Sequence, residues 1–313
     1  MRVVRYQPNM APVGVRSAVA LGLFDGVHLA HRALLSHMQD AARERGLVSA
    51  VFTFDSESRG LKSHSARLYS TQEKLALFSE LGVELVLVAD FADLCDLGAE
   101  AFVQEVLVGV LGAEVAVAGY NFRFGHRASA DTQDLTRLMA HAGGVCEVVA
   151  PYRMGDLPLS ATYIKSLLAE GRVEEANRAL GAPYRIAGAV ERGRGLGHTW
   201  GVPTVNLALP TDPTPLRFGV YRSAVLLGDS VHHGVTNVGV CPSFGAREAH
   251  AETYILDCHA DLYGESVTVY LLGFLRDERV FSDAESLKMQ IEVDKNRAIT
   301  ENGDNIWQAI GRS

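Results

Sequence analysis

The chain has 313 residues, 48% of them hydrophobic and 21% charged, and a formal net charge of -8. That length suits two domains, and that composition supports packed cores, which excludes a disordered or fibrous chain. The acidic balance excludes a protein whose main partner is a nucleic-acid backbone, because such partners select basic faces.

Up to Ala150, short apolar runs alternate with helical patterns. Ala18–Leu23 reads as a buried strand, followed by a helix carrying Ala33, Leu34 and Met38 that stops near Gly46. Val48–Phe52 is a second strand. Ser70-Thr71-Gln72-Glu73 is a capping box that opens a helix ending near Gly82. Glu84–Val88, Glu114–Ala118 and Val145–Val149 read as further strands with helical segments between them. Near-continuous apolar strands separated by helices mean a parallel sheet covered on both faces, a Rossmann-like α/β domain.

After Ala182 the pattern changes. Tyr184–Val190, Gly219–Leu227, Val231–Val238, Ala251–Asp257 and Ser266–Leu272 alternate apolar and polar residues, joined by Gly, Pro, Asp and Asn. That alternation predicts an antiparallel sandwich or barrel. One amphipathic helix, roughly Ala284–Thr300, follows. The expected domains are 1–182 and 183–313, with the boundary at Gly181-Ala182-Pro183.

Cys95, Cys146, Cys241 and Cys258 lie far apart without a CxxC pair, so neither a zinc ribbon nor a disulfide framework is indicated. No run of ~18 apolar residues is present, and Met1–Tyr6 lacks the apolar stretch of a signal peptide. A cytoplasmic protein without membrane or nucleic-acid partners is expected, with homo-oligomerisation left open.

Three segments of the first domain fall at strand ends. Gly22-Leu23-Phe24-Asp25-Gly26-Val27-His28-Leu29-Ala30-His31 follows the first strand and opens the first helix, where ligands bind in a doubly wound sheet. Two histidines three apart at a helix start can face one anion, be structural, or ligate a metal, although no third ligand stands at suitable spacing. Gly119-Tyr120-Asn121-Phe122-Arg123-Phe124-Gly125 follows the fourth strand, either as a ligand loop or as an apolar loop with one solvated arginine. Leu159-Ser160-Ala161-Thr162-Tyr163-Ile164-Lys165 offers hydroxyls and a cation to a polyphosphate, although Ser160 can equally be a plain N-cap.

In the second domain, Gly193-Arg194-Gly195-Leu196-Gly197-His198-Thr199-Trp200-Gly201 is either a phosphate-wrapping loop or a flexible hairpin connection. It precedes Val202-Pro203-Thr204-Val205-Asn206-Leu207. Thr204 and Asn206 alternate on a strand, so both project to one face, and their oxygens suit a hard cation such as magnesium. Glu252 begins Glu252-Thr253-Tyr254-Ile255-Leu256-Asp257 and by itself is an acidic residue on a strand face.

Together these segments resemble prokaryotic bifunctional riboflavin kinase/FAD synthetases over essentially the whole chain. The resemblance rests on G-x-F-D-G-x-H-x-x-H, G-x-N-F-x-F-G and S-x-T-x-I-K in the first half. In the second it rests on Pro203-Thr204-Val205-Asn206, on the Glu252 strand and on Asn237–Gly245. It implies a nucleotidyltransferase domain that adenylylates FMN to FAD with release of pyrophosphate, and a β-barrel kinase domain that phosphorylates riboflavin with ATP and Mg2+. His28 and His31 would contact ATP phosphates, with Gly22, Phe24, Asp25, Gly26, Asn121, Ser160, Thr162 and Lys165 lining the same site. Gly193, Gly195, Gly197, Thr204 and Asn206 would bind the kinase ATP, Thr204 and Asn206 its metal, and Glu252 would accept the riboflavin 5′-hydroxyl proton.

The sequence departs from the family pattern at four places. Ala30 replaces a glycine of H-x-G-H. Ala161 and Lys165 stand in S-S-T-x-I-R, Asp55-Ser56-Glu57-Ser58-Arg59 replaces a Pro-His-Pro segment, and Cys241 replaces an arginine. The alternatives are a riboflavin kinase whose first domain is structural or regulatory, and a flavin or nucleotide sensor without turnover.

Overall fold

The computed structural model describes residues 1–58, 66–191, 204–209, 211, 214–240, 249–258, 260 and 262–302. They form two compact units. One comprises Met1–Ser65 with Tyr69–Ser160, and the other Ala66–Leu68 with Ala161–Ser313.

The first unit is a six-stranded sheet. Its strands are β1 (Arg2–Arg5), β2 (Ser17–Leu21), β3 (Val48–Phe54), β4 (Leu85–Ala89), β5 (Ala113–Gly119) and β6 (Val145–Val149). The spatial order is β1-β4-β3-β2-β5-β6, and every pairing is parallel. All residues of β2 and β4 are buried, which is why these strands read as unbroken apolar runs. Helices α1 (Leu29–Arg45), α2 (Thr71–Glu80) and α4 (Thr132–His141) connect the strands, with α3 (Ala99–Ala101) running into a π-spaced helix over Phe102–Val110. The Ser70 capping box at α2 forms as read, and Gly46 ends α1 in the left-handed region. A two-stranded ribbon, β7 (Arg153–Met154) with β8 (Leu157–Pro158), follows β6.

The chain builds outward from β2 through β3 to β4, then returns to place β5 on the other side of β2. The carboxyl ends of β2 and β5 therefore flank the point where the winding reverses. Successive connections leave to opposite sides there, and open α/β sheets bind ligands in the crevice that such a reversal creates.

The second unit begins with α5 (Ala161–Ala169) and α6 (Val173–Leu180) and continues with an antiparallel sheet. Its strands are β9 (Tyr184–Ala189), β10 (Thr204–Ala208), β11 (Gly219–Leu227), β12 (Ser230–Val240), β13 (Ala249–Ile255) and β14 (Ser266–Arg276), in the order β10-β13-β12-β11-β14-β9. The Glu191 N–H donates to the Asn206 carbonyl at 2.9 Å, joining the continuation of β9 to β10. The sheet thus curls back on itself as a barrel, with this bridge between its two end strands among the described residues. Asn177 of α6 ties that helix to the barrel, donating to the Leu271 carbonyl and accepting from the Tyr184 N–H, both at 2.8 Å.

The terminal helix α7 (Ala284–Asn302) packs Ala298 with Val220, Val235, Leu256 and Leu275. Its polar anchor is Asp294, only 1% exposed, which accepts from Arg276 Nε at 3.0 Å, from Arg276 Nη2 at 2.7 Å and from Gln290 at 3.0 Å. Removing one partner of a buried pair strands the other charge without solvent, whereas an apolar replacement of both removes the desolvation cost as well. Asp294→Ala is therefore expected to destabilise the second unit by about 3 kcal/mol, and Asp294→Leu with Arg276→Met to recover most of that loss. Urea unfolding of the three proteins measures both effects.

Candidate functional site

The Gly22–His28 loop leaves β2 at the reversal point and delivers the chain to α1. Its backbone is strained: Phe24 and Val27 have φ of 52° and 42°, and Gly26 has 86°. A β-branched valine in the left-handed region is a genuine outlier, and such strain persists only where surrounding structure over-determines it. The determinants are visible. The Val27 N–H donates to the Phe24 carbonyl at 3.1 Å, closing the turn. The Phe24 ring is fully buried and meets the Phe78 ring edge-on at 5.4 Å. A Cβ on Gly22 would stand 3.2 Å from that ring, so glycine admits the phenylalanine.

The bend places two histidines together. His28 and His31 stack with ring centroids 3.7 Å apart and planes at 17°. His28 is the N-cap of α1, and no side chain caps that helix end. The unpaired N–H groups of a first helical turn carry partial positive charge, which is an anion site. The Nδ1 atoms of His28 and His31 are buried without a hydrogen-bond partner. Burial lowers the His28 imidazole to about 4, the nearby Asp25 carboxylate opposing only in part. Burial also holds His31 well below the ordinary range, assisted by the charges of His28 and Lys74. Both rings therefore rest neutral, with nitrogen atoms left to meet a ligand.

Asn121, exposed, lies just past β5 on the other side of the reversal point. Phe54 ends β3, and its ring lies 5.3 Å from Phe52 and 5.5 Å from Phe91, while Phe122 stacks on Phe124 at 5.7 Å. These rings give the same sheet edge an apolar wall. Ser160 closes the first unit, whereas Thr162, exposed, and Lys165, half-buried, lie on α5 of the second.

In the second unit, antiparallel register sets Asn206 opposite Glu252 and Glu252 opposite Asn237, a polar row across β10, β13 and β12. The Thr204 hydroxyl donates to Glu252 Oε1 at 2.7 Å. Thr204 and Asn206 thus share a face with the carboxylate, as alternation on a strand requires. Asn206 is 5% exposed and Asn237 donates to Glu278 at 3.2 Å. The donor set is all hard oxygen, which fits magnesium carried on phosphates and does not fit a soft-metal site. Among the described residues no three His, Cys, Asp or Glu groups gather to hold a metal. Gly193, Gly195, Gly197, Pro203, Arg59 and Cys241–Gly245 lie outside the described residues.

Sequence reading missed Lys74 and Asp55. Lys74, in the first turn of α2, is 2% exposed and bonds the loop carbonyl of Leu23 at 3.2 Å. Asp55 accepts from Arg5 at 2.7 Å and Thr71 at 2.8 Å. A lone lysine inside an amphipathic helix gives no signal of burial, and the Asp55 partners are distant in sequence.

Residues 12–163 match the family model for FAD synthetase, and residues 180–301 that for riboflavin kinase. A bifunctional riboflavin kinase/FMN adenylyltransferase from Pseudomonas fluorescens is 34% identical, over 94% of this chain and 96% of its own length. Its namesake from Listeria monocytogenes is 33% identical over 90% of this chain and 91% of its own, and that from Escherichia coli K12 33% over 94% and 96%. A solved structure described as a macrolide-efflux protein from Streptococcus pneumoniae superposes with a TM-score of 0.83 at 29% identity, covering 95% of this chain and 98% of that one. Among the described residues of this chain no helix is long and apolar enough to cross a membrane.

The resting neutrality of the histidines has a thermodynamic consequence. An unfolded histidine titrates near 6.5, and folded His28 near 4, so between those values the unfolded state binds more protons. Stability contributed by this burial is complete above 6.5 and is lost as pH falls toward 4. The loss from His28 reaches about 3 kcal/mol, with His31 acting in the same direction. Denaturant unfolding at pH 7, 5.5 and 4 should show this decline, and His28→Leu should flatten it.

Proposed function

The chain belongs to the bifunctional riboflavin kinase/FMN adenylyltransferase family, and we propose a division of its two reactions between residues 1–182 and 183–313. The protein phosphorylates riboflavin to FMN with ATP and adenylylates FMN to FAD with release of pyrophosphate.

In our reading adenylyl transfer belongs to the crevice at the ends of β2 and β5. The observation that carries it is the pair of buried, partnerless Nδ1 atoms of His28 and His31 beside the uncapped start of α1. The attacking group is an FMN phosphate oxygen, already ionised at neutral pH, so no general base is needed. That oxygen forms a bond to the α-phosphorus of ATP, and the bond from that phosphorus to the bridging oxygen breaks, with pyrophosphate carrying away the electron pair. Neutral imidazoles donate hydrogen bonds to the crowded phosphates and can accept a proton as charge accumulates. Gly22, Phe24, Asp25 and Gly26 shape this cradle. Asn121 and Ser160 complete the nucleotide site within the first unit, and the phenylalanines at the ends of β3 and β5 suit the flat flavin ring.

Riboflavin phosphorylation belongs to the polar row of the barrel. A sugar hydroxyl must lose its proton as it attacks the γ-phosphorus, whose bond to the bridging oxygen breaks with ADP carrying away the electron pair, and Glu252 is the proton acceptor. The Thr204 hydroxyl bonded to one carboxylate oxygen fixes its orientation. Thr204 and Asn206 hold magnesium with the ATP phosphates; bound there, magnesium neutralises phosphate charge. Gly193, Gly195 and Gly197 are assigned to the same phosphates from the sequence alone.

Incubation with riboflavin, ATP and Mg2+, followed by chromatography for FMN and FAD, tests both assignments. Glu252→Gln should abolish FMN formation and leave FAD formation from supplied FMN intact, whereas His28→Ala should do the reverse. Parallel loss of both activities in either folded variant would contradict the division. Asn206→Leu should lower kinase turnover at least a hundredfold, and an unchanged rate at saturating Mg2+ would remove Asn206 from the metal site.

A further inference from the structure

Lys74 is buried against two rules. Its ammonium is almost completely withdrawn from water, and it lies in the first turn of α2, where the helix dipole disfavours a cation. A side chain kept in such a place points to a task that offsets the cost. Nζ donates to the Phe54 carbonyl at 2.8 Å, the Leu23 carbonyl at 3.2 Å and Thr53 Oγ1 at 3.4 Å. The Thr53 hydroxyl, itself fully buried, donates to the same Leu23 carbonyl at 3.1 Å. Two donors therefore converge on one carbonyl, and that carbonyl immediately precedes Phe24, the first left-handed residue of the strained loop. The third contact fixes the carbonyl at the end of β3. One cation thus staples the end of β3 to the loop carrying His28 and His31.

We propose that Lys74 is a positioning residue for adenylyl transfer, clamping the Leu23 carbonyl so that the strained loop holds His28 and His31 in register with the ATP phosphates. This rests on the reading of that histidine pair as the phosphate site. The clamp acts from behind the loop, through backbone, and needs no contact with substrate. Its charge also reaches the histidines: it opposes protonation of His31, alongside the stacked His28, while the Asp25 carboxylate favours protonation of His28. A fixed cation at this place lets the imidazoles stay neutral donors while the loop environment remains positive.

The test uses the full-length protein. Lys74→Met keeps the aliphatic stem and removes the charge and its hydrogen bonds to Leu23, Thr53 and Phe54. FAD formation from FMN should fall at least tenfold, in kcat more than in the KM for ATP, because misplaced histidines fail chiefly as charge is transferred. FMN formation from riboflavin should remain at the wild-type rate. In an NMR titration of the histidine ring protons, His31 should move upward in Lys74→Met while burial still holds it below the ordinary imidazole value, and should not move in Lys74→Arg. A lysine whose charge did not reach the histidines would leave that titration unmoved. Thr53→Val removes the other donor to the Leu23 carbonyl and should lower FAD formation three- to tenfold with the His31 titration unchanged. It decides the matter alone if Lys74→Met does not fold. FAD formation within twofold of wild type in Lys74→Met, or in Thr53→Val, overturns the clamp. His28→Ala separates the two ideas. If it abolishes FAD formation while the Lys74 and Thr53 variants do not, only the clamp fails; if FAD formation survives it, the phosphate-site reading fails.

Discussion

The left-handed backbone at Val27 is the constraint on which the first unit turns. A strand that ran straight into its helix would carry His28 and His31 past the sheet edge, because an extended chain advances about 3.3 Å per residue. Folding the chain back at Phe24, Gly26 and Val27 brings two imidazoles and an uncapped helix start to one point. The conformation is costly for valine, so it must be imposed by neighbours. Gly22 leaves room for the Phe24 ring, Phe78 receives that ring, and Lys74 with Thr53 fixes the preceding carbonyl. Phe78 and Lys74 come from α2 and Thr53 from β3, so the loop is shaped only in the assembled sheet.

The second unit meets a different demand with different means. Its nucleophile is a hydroxyl, which needs an acceptor, and the acceptor needs only correct placement. Antiparallel register supplies that: Asn206, Glu252 and Asn237 lie in one row because three strands pair in phase. A slip of one residue in β13 would turn Glu252 to the opposite face. The row is therefore protected by the strongest positional rule a sheet possesses, and no strained backbone is required. The closing bridge between Glu191 and Asn206 holds β10, at the end of the sheet, in the same register.

The sequence showed these sheets for separate reasons. β2 and β4 are buried on both faces, so their apolar runs are unbroken, while β13 alternates half-buried and buried positions from Glu252 to Ile255. β1 escaped notice: Arg2-Val3-Val4-Arg5 is a short edge strand whose arginines are exposed. The ribbon of β7 and β8 is too short to carry a period. Ser160 was legible as a possible N-cap for α5, but the place of α5 and α6 in the second compact unit was not, because α6 is attached through Asn177 to Leu271, ninety-four residues away. At the site, the histidine pair was legible from its spacing at a helix start. Lys74 was not, since burial of a lysine is decided by the strands it meets and not by its own helix.

The segment after β3 shows how one local chemistry can stand in for another. Where the family carries a proline-flanked histidine, this chain has Asp55-Ser56-Glu57-Ser58, with no ring to restrict φ. Rigidity is supplied instead by hydrogen bonds. Asp55 Oδ1 accepts from the Glu57 N–H at 3.1 Å, an Asx turn, and from the Thr71 hydroxyl at 2.8 Å, while Arg5 holds Oδ2. The Ser56 N–H donates to the same Thr71 hydroxyl, and the Ser58 hydroxyl accepts from the Phe91 N–H. Burial alone would raise the Asp55 carboxyl, but these donors outweigh it and hold the group below its ordinary value, so it is ionised at neutral pH. An ionised acceptor binds its donors more tightly than a neutral one, which suits it to replace a covalent restraint. Proline fixes a turn in the unfolded chain as well as the folded one, whereas the Asp55 network exists only once β1, β3 and α2 have assembled. The substitution therefore moves the rigidity of this turn from local covalent geometry to tertiary structure, leaving the β3 end, and the carbonyl that Lys74 grips there, in a defined place.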